Sequence, residues 1–193
     1  MHRIPILPTF VKAMDKHLGY KLFSIGYPRT GTSSLRKALK DMGFKTGGPT
    51  DLYNPDVNAH VGDWLCLPND KYKILDEQFP NAQFIFTERI DAHTWYQSVV
   101  RRTSQIKDTP GIRHQRNSMY GNPTPLRYLY VHRYLCRSRD VCSYFMDKYG
   151  PDVDKKFLVM CFEDGDGWEK LSAFLGVKSP EGKFPHSNKS KNK

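Results

Sequence analysis

Gly26-Tyr-Pro-Arg-Thr-Gly31-Thr-Ser-Ser34 places two glycines five positions apart, with one arginine between them and four hydroxyls around the second. A loop of this kind between a strand and a helix turns main-chain N–H groups and a helix N-terminus toward an anion. The glycine spacing is that of the ATP/GTP-type loop, G-x-x-x-x-G-K-S/T, whose lysine reaches the β/γ-phosphates. Here Thr32 holds the lysine's position, and the cation is Arg29, two residues before Gly31. The hydroxyls of Thr30, Thr32, Ser33 and Ser34 add further donors at the same place. Phosphate binding fits these residues, whereas triphosphate hydrolysis lacks its cation. The plainer alternative is a Ser/Thr-capped helix after a proline turn.

The loop has to be held by the elements around it. The apolar run Lys21–Tyr27 predicts a buried strand leading into it. Thr32–Met42 carries Leu35, Ala38, Leu39 and Met42 at helical spacing and is stopped by Gly43. Gly47–Asn58 reads as loop, Ala59–Leu67 as the place for a short strand, and Asp70–Gln78 as a helix capped by Asn69. Gln83–Glu88 is a strand leading into Arg89, followed by a helix over His93–Ile106. Asp108–Thr124, with two prolines and two glycines, reads as a long flexible connection. Thr124-Pro125 reads as the start of a long helix to Lys148. Lys156–Glu163 is the last strand, and Trp168–Leu175 a closing helix ended by Gly176. This alternation predicts a single α/β domain whose central parallel sheet is flanked by helices, of the P-loop nucleoside triphosphate hydrolase type. Residues 1–20 form an N-terminal extension, 21–178 the domain, and 179–193 a polar basic tail.

Composition narrows the classes. Mean hydropathy of −0.64 and a 38% hydrophobic content fit a soluble globular chain. No apolar run reaches the roughly 20 residues that span a bilayer. Prolines break the short apolar patch at the start, so no secretory signal is read there and a cytoplasmic, reducing location is expected. Cys66, Cys136, Cys142 and Cys161 have no C-x-x-C spacing and predict reduced thiols. Net charge is +10, and Arg101–Asp140 holds nine Lys/Arg against two Asp. That concentration suggests an anionic ligand or acceptor beside this segment. No zinc-finger spacing, RNP-like run or helix-turn-helix pattern supports sequence-specific nucleic-acid binding.

Pro28-Arg-Thr-Gly-Thr-Ser-Ser-Leu35 resembles the 5′-phosphosulfate loop of sulfotransferases, approximately P-K/R-S/T-G-S/T-S/T, which take 3′-phosphoadenosine 5′-phosphosulfate (PAPS) as donor. Phe84-Ile-Phe-Thr-Glu-Arg89 followed by Asp91-Ala-His-Thr-Trp-Tyr-Gln-Ser98 is similar to their second signature, an Arg at a strand end and a Ser on the next helix. Phe162-Glu-Asp, Gly167-Trp-Glu-Lys-Leu, Phe174-Leu-Gly176 and Phe184-Pro-His-Ser-Asn188 resemble the C-terminal pattern of one branch. The resemblance covers about residues 20–188.

The resemblance implies that Arg29, Thr30, Gly31, Thr32, Ser33 and Ser34 hold the 5′-phosphosulfate, with Arg29 also stabilising the departing phosphate. It implies that Arg89 and Ser98 hold the 3′-phosphate; a surface ion pair with Glu88 or Asp91 is the alternative for Arg89. Between the two signatures, His60-Val-Gly-Asp63-Trp64 supplies the candidate general bases, Asp63 first and His60 second. Glu88 and Glu163 are formal Mg²⁺ ligands for a Walker-type reading, but no metal is required by the resemblance. The expected activity is PAPS-dependent sulfuryl transfer to a small-molecule or glycan acceptor, releasing 3′,5′-adenosine diphosphate (PAP). A P-loop kinase and a non-catalytic nucleotide-binding module are the alternatives.

Overall fold

Residues 21–27 are buried without interruption, including Lys21. They run through the middle of a parallel sheet in the computed structural model, which describes residues 20–62, 65 and 70–187. The strands are β1 (Leu22–Ser24), β2 (Thr46–Gly47), β3 (Ala59–Val61), β4 (Gln83–Glu88) and β5 (Phe157–Cys161). Their spatial order is 2-3-1-4-5, and every pairing is parallel. Parallel strands joined by crossovers bury both faces, which explains why β1 and the middle of β4 are buried without interruption. The helices are α1 (Thr32–Asp41), α2 (Lys71–Gln78), α3 (Ala92–Gln105), α4 (Pro110–Tyr120), α5 (Arg127–Tyr149), α6 (Val153–Lys156) and α7 (Trp168–Leu175). The expected α/β architecture, a central parallel sheet flanked by helices, is what the chain adopts.

Period-two alternation sorts the strand side chains between the faces. Leu22 and Ile85 point to one face, where Leu35, Ala38 and Leu39 of α1 meet Leu171 of α7. Phe23, Phe84 and Phe86 point to the other, against Leu75 of α2 and Phe145 of α5. Phe145 lies flat on Phe157, ring centres 4.5 Å apart and planes 6° apart. A fully buried phenylalanine of this sort contributes about 1.5–3 kcal/mol. On the same side, the buried Asp76 carboxylate accepts from Tyr144 (2.9 Å), Tyr149 (2.6 Å) and the Lys148 ammonium (2.5 Å), tying α2 to α5.

Two readings of the sequence change. Pro110–Tyr120, expected inside a flexible connection, is helix α4. Its proline sits in the first turn, where no N–H is needed, and the Thr109 hydroxyl caps it by accepting from Ile112 N at 3.3 Å. Thr124-Pro125, expected to open α5, instead precedes it. The Pro125 carbonyl accepts from the Tyr96 hydroxyl (2.7 Å), and Leu126 N turns back onto Thr124 O (2.8 Å). Within the stretch read as a tail from residue 179, single residues touch the domain. Phe184 lies against Phe162 and Trp168, and Trp168 Nε1 donates to Gly182 O at 3.0 Å.

Part of the positive charge between Arg101 and Asp140 is spent internally. Arg116 is buried and paired with Asp108. Arg137 is buried with its guanidinium 4.7 Å from the Tyr72 ring centre and donates to Ile25 O. Cys136, Cys142 and Cys161 are free thiols, and Cys66 lies outside the described residues. Among the described residues, no helix is long and apolar enough to cross a membrane.

Candidate functional site

Three successive carbonyls of the loop after β1 each accept a bond from a side chain. Tyr27 O takes the Thr30 hydroxyl (2.6 Å), Pro28 O the Trp95 indole N–H (3.0 Å), and Arg29 O the Arg89 Nε (2.8 Å). In a trans peptide the C=O and N–H point in opposite directions. Holding the oxygens of Pro28 and Arg29 therefore fixes the N–H groups of Arg29 and Thr30 on the other side of the loop. Arg29 has φ 73°, the one non-glycine residue with positive φ among those described. That conformation costs about 1–2 kcal/mol for a residue with a Cβ, and a left-handed residue in a turn gathers N–H groups into an anion-binding hollow.

The two glycines are needed for close approach. A Cβ on Gly26 would stand 2.2 Å from Thr87 Oγ1 and 2.5 Å from the Thr87 carbonyl oxygen on β4. Gly31 has φ 96°, and a Cβ there would meet the Phe162 ring at 2.4 Å. The four hydroxyls divide in two. Thr30 is buried and shared between Tyr27 O and Thr87 Oγ1 (2.7 Å), and Ser34 is buried and accepts from Ser187 N at 3.0 Å. Thr32 and Ser33, at the first turn of α1, face a cleft instead.

The second cluster closes on the first. Arg29 Nε lies 3.3 Å from Ser98 Oγ on α3, although 69 residues separate them. Arg89 binds Arg29 O through Nε and pairs through Nη1 with Glu163, whose second oxygen accepts from Ile90 N at 3.1 Å. The Arg89 main-chain N–H donates to the Tyr134 hydroxyl (2.9 Å), a phenol that burial holds above its ordinary pKa. The ion pair of Arg89 is thus with Glu163, from the segment after β5, and not with Glu88 or Asp91. Asp91 caps α3 through Thr94 N (2.7 Å), a bond that holds its carboxyl below the usual range. Burial pushes the Glu88 carboxyl up. Glu163 is occupied by Arg89 and Ile90, and among the described residues no group of three His, Cys, Asp or Glu is placed to hold a metal.

On the opposite side of the loop, Thr32, Ser33, Arg36 and Lys40 of α1 face the ends of β2 and β3 across a cleft of about 620 Å³. Gly62 lines it; Asp63 and Trp64, the next two residues, lie outside the described residues. His60 is on β3 but has no exposed surface, its ring stacked on Phe23 at 5.3 Å. Burial, aided by the Lys21 ammonium, pushes its pKa down to about 4 against the smaller opposing pull of the Gly48 backbone and Asp51. It is a neutral core imidazole at ordinary pH. A separate hollow of about 920 Å³ runs along α5 between His93, Tyr128, Leu135 and Arg139 and shares no residue with the loop.

In open α/β sheets, ligands bind beyond the carboxyl ends of the strands where the strand order reverses. β1 is that point: the chain builds β2 and β3 to one side, then β4 and β5 to the other. The loop therefore has a station with Arg29, Arg89 and Ser98 on the β4 side and the polar cleft on the β3 side. Trp95, Thr87 and Tyr134 brace this arrangement, a role the sequence does not mark. Arg36 and Lys40 were also overlooked, although two cations at i, i+4 directly after an anion-binding loop are a readable signal.

A family model described as a sulfotransferase domain matches residues 68–192, nearly two thirds of the chain. The matched region contains Arg89, Ser98 and Glu163 and begins after the glycine loop. Comparison with curated proteins finds no match.

Proposed function

The chain belongs to the sulfotransferase family, and we propose that it moves the sulfuryl group of PAPS to a hydroxyl or amine acceptor. The donor's 5′-phosphosulfate lies on the loop, against the Arg29 guanidinium and the N–H groups at the start of α1. Its 3′-phosphate is held by Arg89 and Ser98. The acceptor enters from the β3 side. Its oxygen or nitrogen attacks sulfur, its proton passes to Asp63, and the bond from sulfur to the bridging phosphate oxygen breaks to release PAP. Arg29 and the loop N–H groups stabilise the charge that develops on that oxygen, donors already fixed in place before reaction. Asp63 is preferred to His60 as base because His60 has no exposed surface and stays neutral down to about pH 4.

The observation that supports this reading most is the joining of the two signatures: Arg29 Nε to Ser98 Oγ at 3.3 Å, and Arg89 Nε to Arg29 O at 2.8 Å. Thermal denaturation with PAP tests the donor. At a hundredfold excess over Kd, PAP should raise Tm by about 5–10 °C, and ATP–Mg²⁺ should do so less. The reverse order would place the chain with kinases. Labelled PAPS, offered with a panel of glycans, phenols, alcohols and amines, tests transfer; PAP binding without transfer to any of them would leave a nucleotide-binding module.

A further inference from the structure

The cleft beside the donor loop carries more information about the acceptor than the charge of the chain does. None of the nine basic residues between Arg101 and Asp140 lines it. Its cations are Arg36 and Lys40, one turn apart on the same face of α1. The Arg36 guanidinium is positioned by a bond from Nη2 to Val61 O at the end of β3. Among the described residues neither cation forms an ion pair with a carboxylate. Among the described residues the one acid lining the cleft is Asp51, which turns its carboxylate onto Gly48 N at 2.8 Å.

Apart from Pro49 and Val61, the rest of the described wall is polar and open to close approach. Thr32, Ser33 and Thr46 present hydroxyls, while Gly47, Gly48 and Gly62 expose main chain. Among the described residues, no aromatic side chain lines it. Sites for phenols and steroids are lined mainly by apolar and aromatic groups, with few polar ones. This wall is instead mixed, with polar groups in the majority around a volume of about 620 Å³.

We propose that the acceptor is a small sugar bearing its own anionic group, which Arg36 and Lys40 hold while a hydroxyl of the same sugar is presented to the donor. The proposal rests on the sulfuryl-transfer reading for its chemistry, but its binding claim stands separately. In the transfer itself the sugar oxygen gains the bond to sulfur and loses its proton, and PAPS leaves as PAP, so the acceptor's original anion is retained and the product is doubly charged. Arg36 and Lys40 are specificity residues that touch the acceptor and not the transferred group.

The test compares a glucuronate-terminated disaccharide with the same disaccharide in which the carboxylate is reduced to the alcohol. Calorimetry on the full chain, with and without saturating PAP, should give at least about tenfold tighter binding of the acid, the scale of a lost charge-assisted bond. In the transfer assay the acid should be the better acceptor, ahead of both the alcohol and an uncharged phenol. Arg36→Gln and Lys40→Gln should each reduce the preference, and the double variant should erase it. Equal binding of acid and alcohol, a preference for the phenol, or a preference that survives the double variant would overturn the assignment. PAP affinity measured alongside separates the two readings. A chain that binds the acid through Arg36 and Lys40 but not PAP would leave the cleft assignment standing and remove the donor.

Discussion

Arg89 donates from Nε to the carbonyl oxygen of Arg29 over 2.8 Å, so the arginine after β4 props the loop that carries the other arginine. Its guanidinium serves Arg29 O, Glu163 and, on the proposed reading, a phosphate at once. A lysine keeps the charge but cannot reproduce a planar fork with donors in several fixed directions. Arg89→Lys should therefore weaken PAP binding by about 10- to 100-fold, the scale of one lost charge-assisted hydrogen bond. Ser98→Ala, which removes one neutral partner, should cost about tenfold or less. Calorimetry with PAP gives both values. Unchanged affinity in Arg89→Lys would remove Arg89 from the donor site.

Trp95 reaches the same loop from α3, its indole N–H bonded to Pro28 O at 3.0 Å and its ring 4.5 Å from that of Tyr134. Trp95→Phe keeps most of the aromatic volume and leaves a half-buried carbonyl without its donor. The expected loss is about 1 kcal/mol of stability, a fall of about 2–4 °C in Tm for a chain of this size. Since that carbonyl orients the Arg29 N–H, PAP affinity should fall as well. A variant with wild-type Tm and PAP affinity would show that the bond does not shape the loop.

How much of this was readable beforehand depended on whether the signal was local. Gln83–Glu88 and Trp168–Leu175 occur at the expected residues because a short apolar run and a Gly-terminated helical pattern each carry their own signal. Helix α4 is hidden because Pro110 and Gly111 read as breakers, although Thr109-Pro110 is the same cap-and-first-turn pair as Thr124-Pro125. Local pattern cannot tell the two apart; the Tyr96–Pro125 contact decides, and it comes from α3. In the site, the glycine spacing marked the loop, but its bracing by Thr87, Arg89 and Trp95 joins residues 57 to 67 positions apart. His60 stood out as a titratable residue next to Asp63, and nothing in its neighbours announced that β3 would bury it.

Gly26 and Gly31 should fail differently when given a Cβ. At Gly26 the added carbon meets Thr87 main-chain oxygen and nitrogen at 2.5 and 2.7 Å, atoms fixed in β4. Strand β4 would have to move away from β1, and overpacking of this kind costs typically about 1–3 kcal/mol and more where backbone must yield. At Gly31 the obstacle is the Phe162 ring, a side chain that can turn, together with a strain of about 1–2 kcal/mol at φ 96°. Gly26→Ala should therefore lower Tm more than Gly31→Ala, and Gly31→Ala should lose PAP affinity out of proportion to its stability. The opposite order of Tm values would contradict the close packing of β1 on β4.

His60 supplies a pH test of both the fold and the base. Burial, reinforced by the Lys21 ammonium, lowers its pKa from the ordinary 6.5 to about 4. As pH falls through 6.5 the unfolded chain takes up a proton at this imidazole while the folded chain stays neutral, so stability present above pH 6.5 is lost progressively toward pH 4. The gap corresponds to about 3 kcal/mol at most. His60→Phe keeps a ring against Phe23 but cannot bind that proton. Its Tm should fall less than wild type between pH 7 and 4.5, by several degrees, and superimposable slopes would refute the buried neutral imidazole. The same variant separates the candidate bases. Turnover in His60→Phe should stay of the wild-type order at pH 7, whereas Asp63→Asn should lower it by roughly 10²–10⁴; a collapse in His60→Phe with its fold intact would return the proton transfer to His60.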